Sequence, residues 1–312
     1  LIGLTKHLVP EMKIHLSTQA NAINSAALCM WHSLGVSRVV LARECSLEEI
    51  TEIRKNIPED LEIEAFVHGA MCMAHSGRCL LSSFLTGRDA NRGNCAQACR
   101  WKYSVCEETR PGEYFPLDET ENGTYIFNSK DLCMIEHIDE LVYAGISSFK
   151  VEGRVKTEYY VSCVAKAYRE AIDDVFEDLS LYKRKIPKYM TELLKTSHRD
   201  FSTGFYYGRP DASGQNYETS GYIRNYELIG VVRGYDYSRR LIEIEQRNKF
   251  VIGDEIEITE PGKEPETAVI TEMYGGDGKL ISAAPHAQMT VFLPFPHPVS
   301  RYGFIRRKKN DL

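Results

Sequence analysis

Three short apolar, β-branched runs begin at residues 13, 38 and 62: Lys13–Ser17 (KIHLS), Arg38–Arg43 (RVVLAR) and Glu62–His68 (EIEAFVH). The intervals between them are too long for hairpins and carry helical periodicity, so the strands they join should run parallel. Between the first two, Ile23, Ala27, Met30 and Leu34 recur at helical spacing within Asn21–Leu34, and Gly35 closes the helix. Between the second and third, Ser46 with Glu49 forms a capping-box pattern opening a helix over Ser46–Ile57, and Pro58 follows its end. The rhythm resumes later with a strand over Thr124–Asn128, a helix over Lys130–Ala144 ended by Gly145, and a strand over Ser147–Val151. A long amphipathic helix is expected from Thr157 to Phe176, and a short one over Ile2–Val9.

This order implies an α/β fold on a parallel sheet, either doubly wound or part of a (β/α)8 barrel. Polar residues cluster just after each strand: Ser17 to Gln19, Arg43 with Glu44, His68, Asn128 to Lys130, and Glu152 with Arg154. Both folds place chemistry there. No glycine-rich phosphate fingerprint follows the first strand, which weakens the dinucleotide-binding form. Five strands cannot close an eight-stranded barrel. The chain opens at Leu1 inside the expected first helix, and the expectation is that the front of the barrel is missing.

The expected domains are a partial (β/α) barrel over 1–197 with a cysteine-rich insertion at 69–123, a Gly-, Ser- and Tyr-rich linker over 198–221, and a small C-terminal all-β barrel over 222–312. In the last part, Tyr226–Arg233, Leu241–Gln246, Glu255–Thr259, Glu266–Met273 and Thr290–Leu293 alternate as short strands separated by turns. The terminal Arg306–Lys309 (RRKK) reads as a solubilising tail.

With 43% hydrophobic and 26% charged residues over 312 positions, the chain can bury a core. No apolar run reaches the roughly 18–20 residues of a membrane span, and no export signal opens the sequence. A net charge of −6 argues against bulk electrostatic nucleic-acid binding but not against a local basic patch. Nine cysteines are an odd number and too sparse for a disulfide scaffold, so a reducing, cytoplasmic setting is expected.

Five of the nine cysteines lie in the insertion: Cys72, Cys79, Cys95, Cys99 and Cys106, with Cys133 further on. Cys29 and Cys163 sit in periodic helices and read as core residues; Cys45 follows a strand and stays ambiguous. The loop cysteines lie among Gly, Ser, Asn and Arg, where small residues let the backbone wrap a metal and aim N–H groups at sulfur. The tight C-x2-C pairs favoured by zinc are absent, and the longer separations suit an iron–sulfur cluster better. Zinc and redox-active thiols stay open on composition alone.

The stretch from Glu64 through His68, Gly69 and Cys72 to Ser76-Gly77-Arg78-Cys79 resembles the signature of peptidase family U32, the collagenase-like protease family. The likeness continues through Leu85–Gly93 and Cys95, then Asn128–Cys133 and Phe149–Arg154, and runs from about Ile14 to the C-terminus. It implies a TIM-like barrel whose first strands are absent from this chain. It also implies more than the family name states, because members include iron–sulfur proteins that hydroxylate ubiquinone precursors or RNA. The chain is most similar to the tRNA hydroxylation subgroup, which makes 5-hydroxyuridine at the wobble position with prephenate as oxygen source. The implied partners are therefore tRNA and a small dicarboxylate co-substrate, with no membrane. The implied cofactor is a 4Fe–4S cluster on Cys72, Cys79, Cys95 and Cys133, ligands that should converge; Cys99 is the runner-up for the third.

Against the peptidase label, no Ser lies in a G-x-S-x-G elbow, and His68, His75 and His137 lack metallopeptidase spacing. Peptide hydrolysis and a non-enzymatic RNA-binding or scaffold role remain the alternatives. His68, Glu152 and Arg154 are the catalytic candidates. Arg43, Glu44, Arg78, Asn91 and Arg92 are the substrate-binding ones. Arg43 with Glu44 and Glu152 with Arg154 end strands and read either as plain ion pairs at the barrel mouth or, through the two arginines, as a forked clamp for carboxylates. Tyr159 and Tyr160 read as core. In the β domain, Tyr226, Arg233, Tyr235, Tyr237, Arg239, Arg240, Arg247 and the terminal basic run are candidates for RNA contact or ordinary surface.

Overall fold

The computed structural model describes residues 1–72, 79–90, 94–101, 104–106, 114–116, 129–154, 156–210, 214 and 222–309. The chain divides into two compact units. The first holds Leu1–Arg154, Val175–Ile186 and Arg199–Tyr222; the second holds Val155–Asp174, Pro187–His198 and Ile223–Leu312.

In the first unit, α1 (Ile2–Leu8), β1 (His15–Leu16), α2 (Ser25–Ser33), β2 (Arg38–Val40), α3 (Leu47–Lys55) and β3 (Glu62–Ala70) follow in the expected order. α2 starts later than its apolar spacing predicts, because the Asn24 side chain caps it, accepting from Ala27 N at 2.9 Å. The capping box of α3 forms in full: Ser46 N donates to Glu49 Oε2 at 2.7 Å and Glu49 N to Ser46 Oγ at 3.2 Å. Then come α4 (Leu81–Thr86), an antiparallel pair β4 (Ser104–Cys106) and β5 (Tyr114–Pro116), β6 (Asp131–Cys133), α5 (Ile138–Tyr143), β7 (Ser148–Val151) and β8 (Phe201–Ser202).

β1, β2, β3 and β7 pair in parallel in that order. β6 runs antiparallel to the end of β3, with His68 opposite Cys133, and β8 pairs in parallel with β6. The sheet is thus mixed and, among the described residues, an open path rather than a closed barrel. Alternation gives it two unlike faces. Val39, Ile63, Ala65 and Val67 are buried. On the opposite face Arg38, Glu62, Glu64, Ser148 and Lys150 form a charged ladder, with Lys150 Nζ 3.1 Å and Ser148 Oγ 3.0 Å from Glu64. Arg38 reaches Glu64 at 3.4 Å and also pairs with Glu62.

Two expectations are corrected here. The helix expected from Lys130 begins only after β6, because Asp131–Cys133 pairs with both β3 and β8. Residues read as linker are also part of the first unit. Tyr206 is buried, its hydroxyl donates to Phe66 O at 2.7 Å, and its carbonyl accepts from Leu47 N at 2.9 Å. The expected strand Thr124–Asn128 lies outside the described residues.

The second unit contains most of α6 (Glu158–Glu177), the later part of α7 (Leu179–Leu194) and an all-β domain. α7 went unread in the sequence because Pro187 sits inside it. The β strands are β9 (Tyr226–Asp236), β10 (Leu241–Gln246), β11 (Phe250–Val251), β12 (Glu255–Thr259), β13 (Glu266–Val269), β14 (Tyr274–Gly275), β15 (Ala283–Ala284), β16 (Thr290–Pro294) and β17 (Phe304–Lys308). Seven of them form an antiparallel sheet in the order β13-β12-β17-β9-β10-β16-β14, and β11 pairs with β15. Tyr159 and Tyr160 on α6 are buried, as read.

The solubilising-tail reading of Arg306–Lys309 is overturned by β17. Arg306 is 0% exposed, its guanidinium 2.8 Å from Glu192 and 2.7 Å from Glu257. Arg307 pairs with Glu227 and Asp254. Strand alternation, not composition, decides which of these charges is buried. No helix among the described residues is long and apolar enough to cross a membrane.

Candidate functional site at the strand ends

The parallel strands bring three separate motifs together. Arg43 follows β2, Cys72 follows β3 and Glu152 follows β7. The Arg43 side chain is 6% exposed and forks between the other two: Nη1 donates to Cys72 Sγ at 2.9 Å and Nη2 to Glu152 Oε2 at 2.7 Å. Its guanidinium lies 3.8 Å from the centre of the Phe66 ring, which fixes its plane. Parallel neighbours present their C-terminal ends on one side, which is why residues so distant in sequence meet here.

The backbone beneath this contact is equally specific. Glu152 N donates to His68 O at 2.8 Å. Gly69 holds φ +113, and a Cβ there would lie 2.4 Å from Glu152 O, so the close approach requires glycine. His68 is 1% exposed, with its ring 5.5 Å from that of Phe201. Glu44 is half-buried. Arg154 Nη2 donates to Ala90 O at 3.1 Å. Arg78, Asn91 and Arg92 lie outside the described residues.

Cys72 is exposed, Cys79, Cys95 and Cys99 are half-buried, and Cys133 is buried on β6. Gln97 N donates to Cys95 Sγ at 3.3 Å, the kind of N–H to sulfur bond that steadies a thiolate. Ser82 braces this loop: Oγ donates to Arg88 O and accepts from Ala96 N, each at 2.8 Å. Among the described residues, no three His, Cys, Asp or Glu side chains are gathered so as to hold a metal ion. Soft donors, small neighbours and an N–H aimed at sulfur match the chemistry of a cluster, while a converged ligand set is not formed among them. Cys45 is inert by contrast: burial, then the charges of Glu49 and Glu44, push its thiol up to about 12.

A cavity of about 120 Å3 opens beside Cys72, lined by Met71, Ser129, Lys130, Ser202, Phe205 and Arg209 among others. Lys130 and Arg209 are cations the sequence reading did not select as binders. Arg209 sat in the supposed linker, and only the packing of that segment onto the first unit carries it to the site.

The strand ends and the all-β domain define a two-unit α/β protein with a thiol-rich site. Residues 1–216 match peptidase family U32, and residues 224–306 match the peptidase family U32 C-terminal domain. The chain belongs to peptidase family U32. The tRNA hydroxylation protein P of Escherichia coli (strain K12) is 37% identical, spanning 98% of this chain and 75% of that protein. The tRNA hydroxylation protein P1 of Bacillus subtilis (strain 168) is 36% identical over 99% of this chain and 72% of its own length. A collagenase of Porphyromonas gingivalis (strain ATCC BAA-308 / W83) is 36% identical over 80% of this chain and 61% of its own length.

Proposed function

We propose that the chain is a tRNA uridine hydroxylase that forms 5-hydroxyuridine at the wobble position. The observation that carries this reading is near-full-length similarity to proteins named for tRNA hydroxylation. The site supports it from the other side. Ser17 Oγ accepts from Gln19 N, and Ser82 is bonded to backbone, so neither described hydroxyl is set against a histidine as a serine nucleophile would be. We read β1, β2, β3 and β7 as an arc of a TIM-like barrel, with chemistry at its C-terminal ends.

In this reading Cys72, Cys79, Cys95 and Cys133 hold a 4Fe–4S cluster, which would supply electron transfer at the site. Arg43 orients Cys72 and Glu152 and places a positive charge beside that sulfur. Lys130 and Arg209 bind the carboxylates of a small co-substrate, prephenate in the favoured form, in the cavity beside Cys72. Buried His68 holds the backbone of Glu152 through its carbonyl.

The test is deletion of the gene in its host, with tRNA nucleosides analysed by mass spectrometry. Loss of 5-hydroxyuridine derivatives, restored by wild type and not by Cys72→Ala, is the expected result. Unchanged tRNA together with collagen cleavage by the purified chain would favour the peptidase reading instead. Anaerobic purification tests the cofactor separately: iron and sulfide near four each per chain are expected, and one tight zinc with no iron would overturn it.

A further inference from the structure

We propose that one end of the all-β domain, built from the β9–β10 turn, Tyr274 and the loop before β17, is an RNA-contacting surface. The proposal rests on the tRNA reading above and deepens it. The structure divides the basic and aromatic residues of this domain into two groups. Arg306 is buried against Glu192 and Glu257, Arg307 is paired with Glu227 and Asp254, and Arg247 is 3.0 Å from Glu245. These charges are neutralised. Among the described residues Arg239, Arg240 and Arg301 have no carboxylate within ion-pair distance, and the charge of Arg239 reaches only Asp236, from farther away.

Those three arginines sit among exposed rings. Tyr237 is 75% and Tyr302 58% exposed. The Arg239 guanidinium lies 5.4 Å from the centre of the Tyr274 ring, and that of Arg301 5.0 Å from Tyr302. Tyr237 is steadied edge-on by Tyr235 at 5.1 Å, and Tyr235 is anchored by its hydroxyl to Phe295 O at 2.9 Å. The two loops share one end of the sheet: Phe295 N donates to Arg240 O at 3.0 Å and Tyr302 N to Val232 O at 2.8 Å.

Nearby acids are held mainly by backbone and hydroxyl donors, with Asp236 also feeling the Arg239 charge. Asp236 accepts from Ser238 N, Ser238 Oγ and Arg239 N, and Glu272 accepts from the Tyr274 hydroxyl. Arg240 and Tyr302 also hold φ of 54 and 69, a left-handed conformation in which glycine or asparagine would be the more stable choice. Long cationic and aromatic side chains therefore stand where stability alone does not favour them.

Guanidinium groups outside close ion pairs and interleaved with exposed rings are what single-stranded RNA requires, the rings to stack bases and the arginines to meet phosphates. A protein-docking centre would want a desolvated apolar core. In the loop before β17 the one aliphatic residue, Val299, is buried.

The experiment measures binding of a fluorescently labelled, unmodified tRNA transcript by the full chain. Tyr237→Ala with Tyr302→Ala should weaken binding by at least roughly 5- to 150-fold, the loss of one stacked base. Tyr237→Phe with Tyr302→Phe should restore it, and Tyr302→Gly, which relieves the left-handed backbone, should weaken binding without lowering the melting temperature. Arg239→Gln, Arg240→Gln and Arg301→Gln together should reduce the slope of log affinity against log salt by about 2. Arg169→Gln, an exposed position on α6, serves as the control with no effect. If wild type binds and all the variants bind within twofold of it, the surface assignment is overturned and the tRNA reading stands. If the variants bind normally but fail to restore 5-hydroxyuridine in the deletion host, the patch serves a protein partner and the RNA assignment is likewise overturned. A wild-type chain that binds no tRNA, from a host whose tRNA nucleosides survive deletion unchanged, overturns both.

Discussion

Replacing Gly69 by alanine isolates the close approach on which the candidate site is built. The added Cβ would lie 2.4 Å from Glu152 O and 2.8 Å from Glu152 Cβ, and the residue holds φ +113. The conformational strain costs about 1–2 kcal/mol and the steric overlap, against backbone that cannot rotate away, about 1–3 kcal/mol more. The expected loss is therefore about 2–5 kcal/mol. Gly87→Ala is the matched control: φ is +68 there, but nothing lies within 4 Å of the added Cβ, so only the strain of about 1–2 kcal/mol applies. The chain has two tryptophans, Trp31 and Trp101, both in the first unit, so tryptophan fluorescence during urea unfolding reports that unit alone. Displacing Glu152 also withdraws its carboxylate from Arg43, so modification of tRNA should fall along with stability. A Gly69→Ala loss within about 0.5 kcal/mol of the Gly87→Ala loss would refute the steric argument.

In the second unit, Arg306→Met removes the buried guanidinium from Glu192 and Glu257, which keep Lys195 at 3.0 and 2.9 Å, and should cost about 1.5–3 kcal/mol; near-UV circular dichroism follows the transition, and a loss below about 0.5 kcal/mol would mean the guanidinium is dispensable. Burial pushes the Glu64 carboxyl up, but hydrogen bonds from Lys150 and Ser148 and the charge of Arg38 outweigh it and hold it below the ordinary 4.5. A depressed carboxylate stabilises fully above its unfolded value and loses that contribution as pH falls through the folded one, so first-unit stability should drop below about pH 4.5, and Glu64→Gln should flatten that drop in acid titrations followed by tryptophan fluorescence. At pH 8 in metal-free folded chain, iodoacetamide should label exposed Cys72 well before Cys45, whose thiolate population falls roughly a thousandfold when its thiol is pushed up to about 12; equal labelling in peptide mapping would contradict its burial.

Local chemistry was enough to read the parallel core. The runs at β1, β2, β3 and β7 and the capping box of α3 depend on residues close in sequence, and Ser46 meets Glu49 whatever surrounds them. The Cys, Gly and His pattern around residues 64–95 likewise sufficed for the family, because a family signature is carried in linear order. The meeting of Arg43 with Glu152 was legible in part. Strand ends on one side of a parallel sheet follow from the rhythm, yet the choice between ion pair and clamp depends on where the Arg43 guanidinium settles.

Tertiary structure decided the rest, and in each case the deciding partner is far away along the chain. Asp131–Cys133 has no period of its own; β3 and β8 make it a strand. Residues 199–210 have the composition of a linker, but Tyr206 bonds to Phe66 and Leu47, 140 and 159 positions earlier, and so carries Arg209 to the cavity beside Cys72. Arg306 and Arg307 look like a solvated tail until Glu192, Glu257, Glu227 and Asp254 close around them. Sequence composition records how many charges a segment holds, whereas only the folded neighbours determine which are neutralised in the interior and which remain outside to meet a ligand.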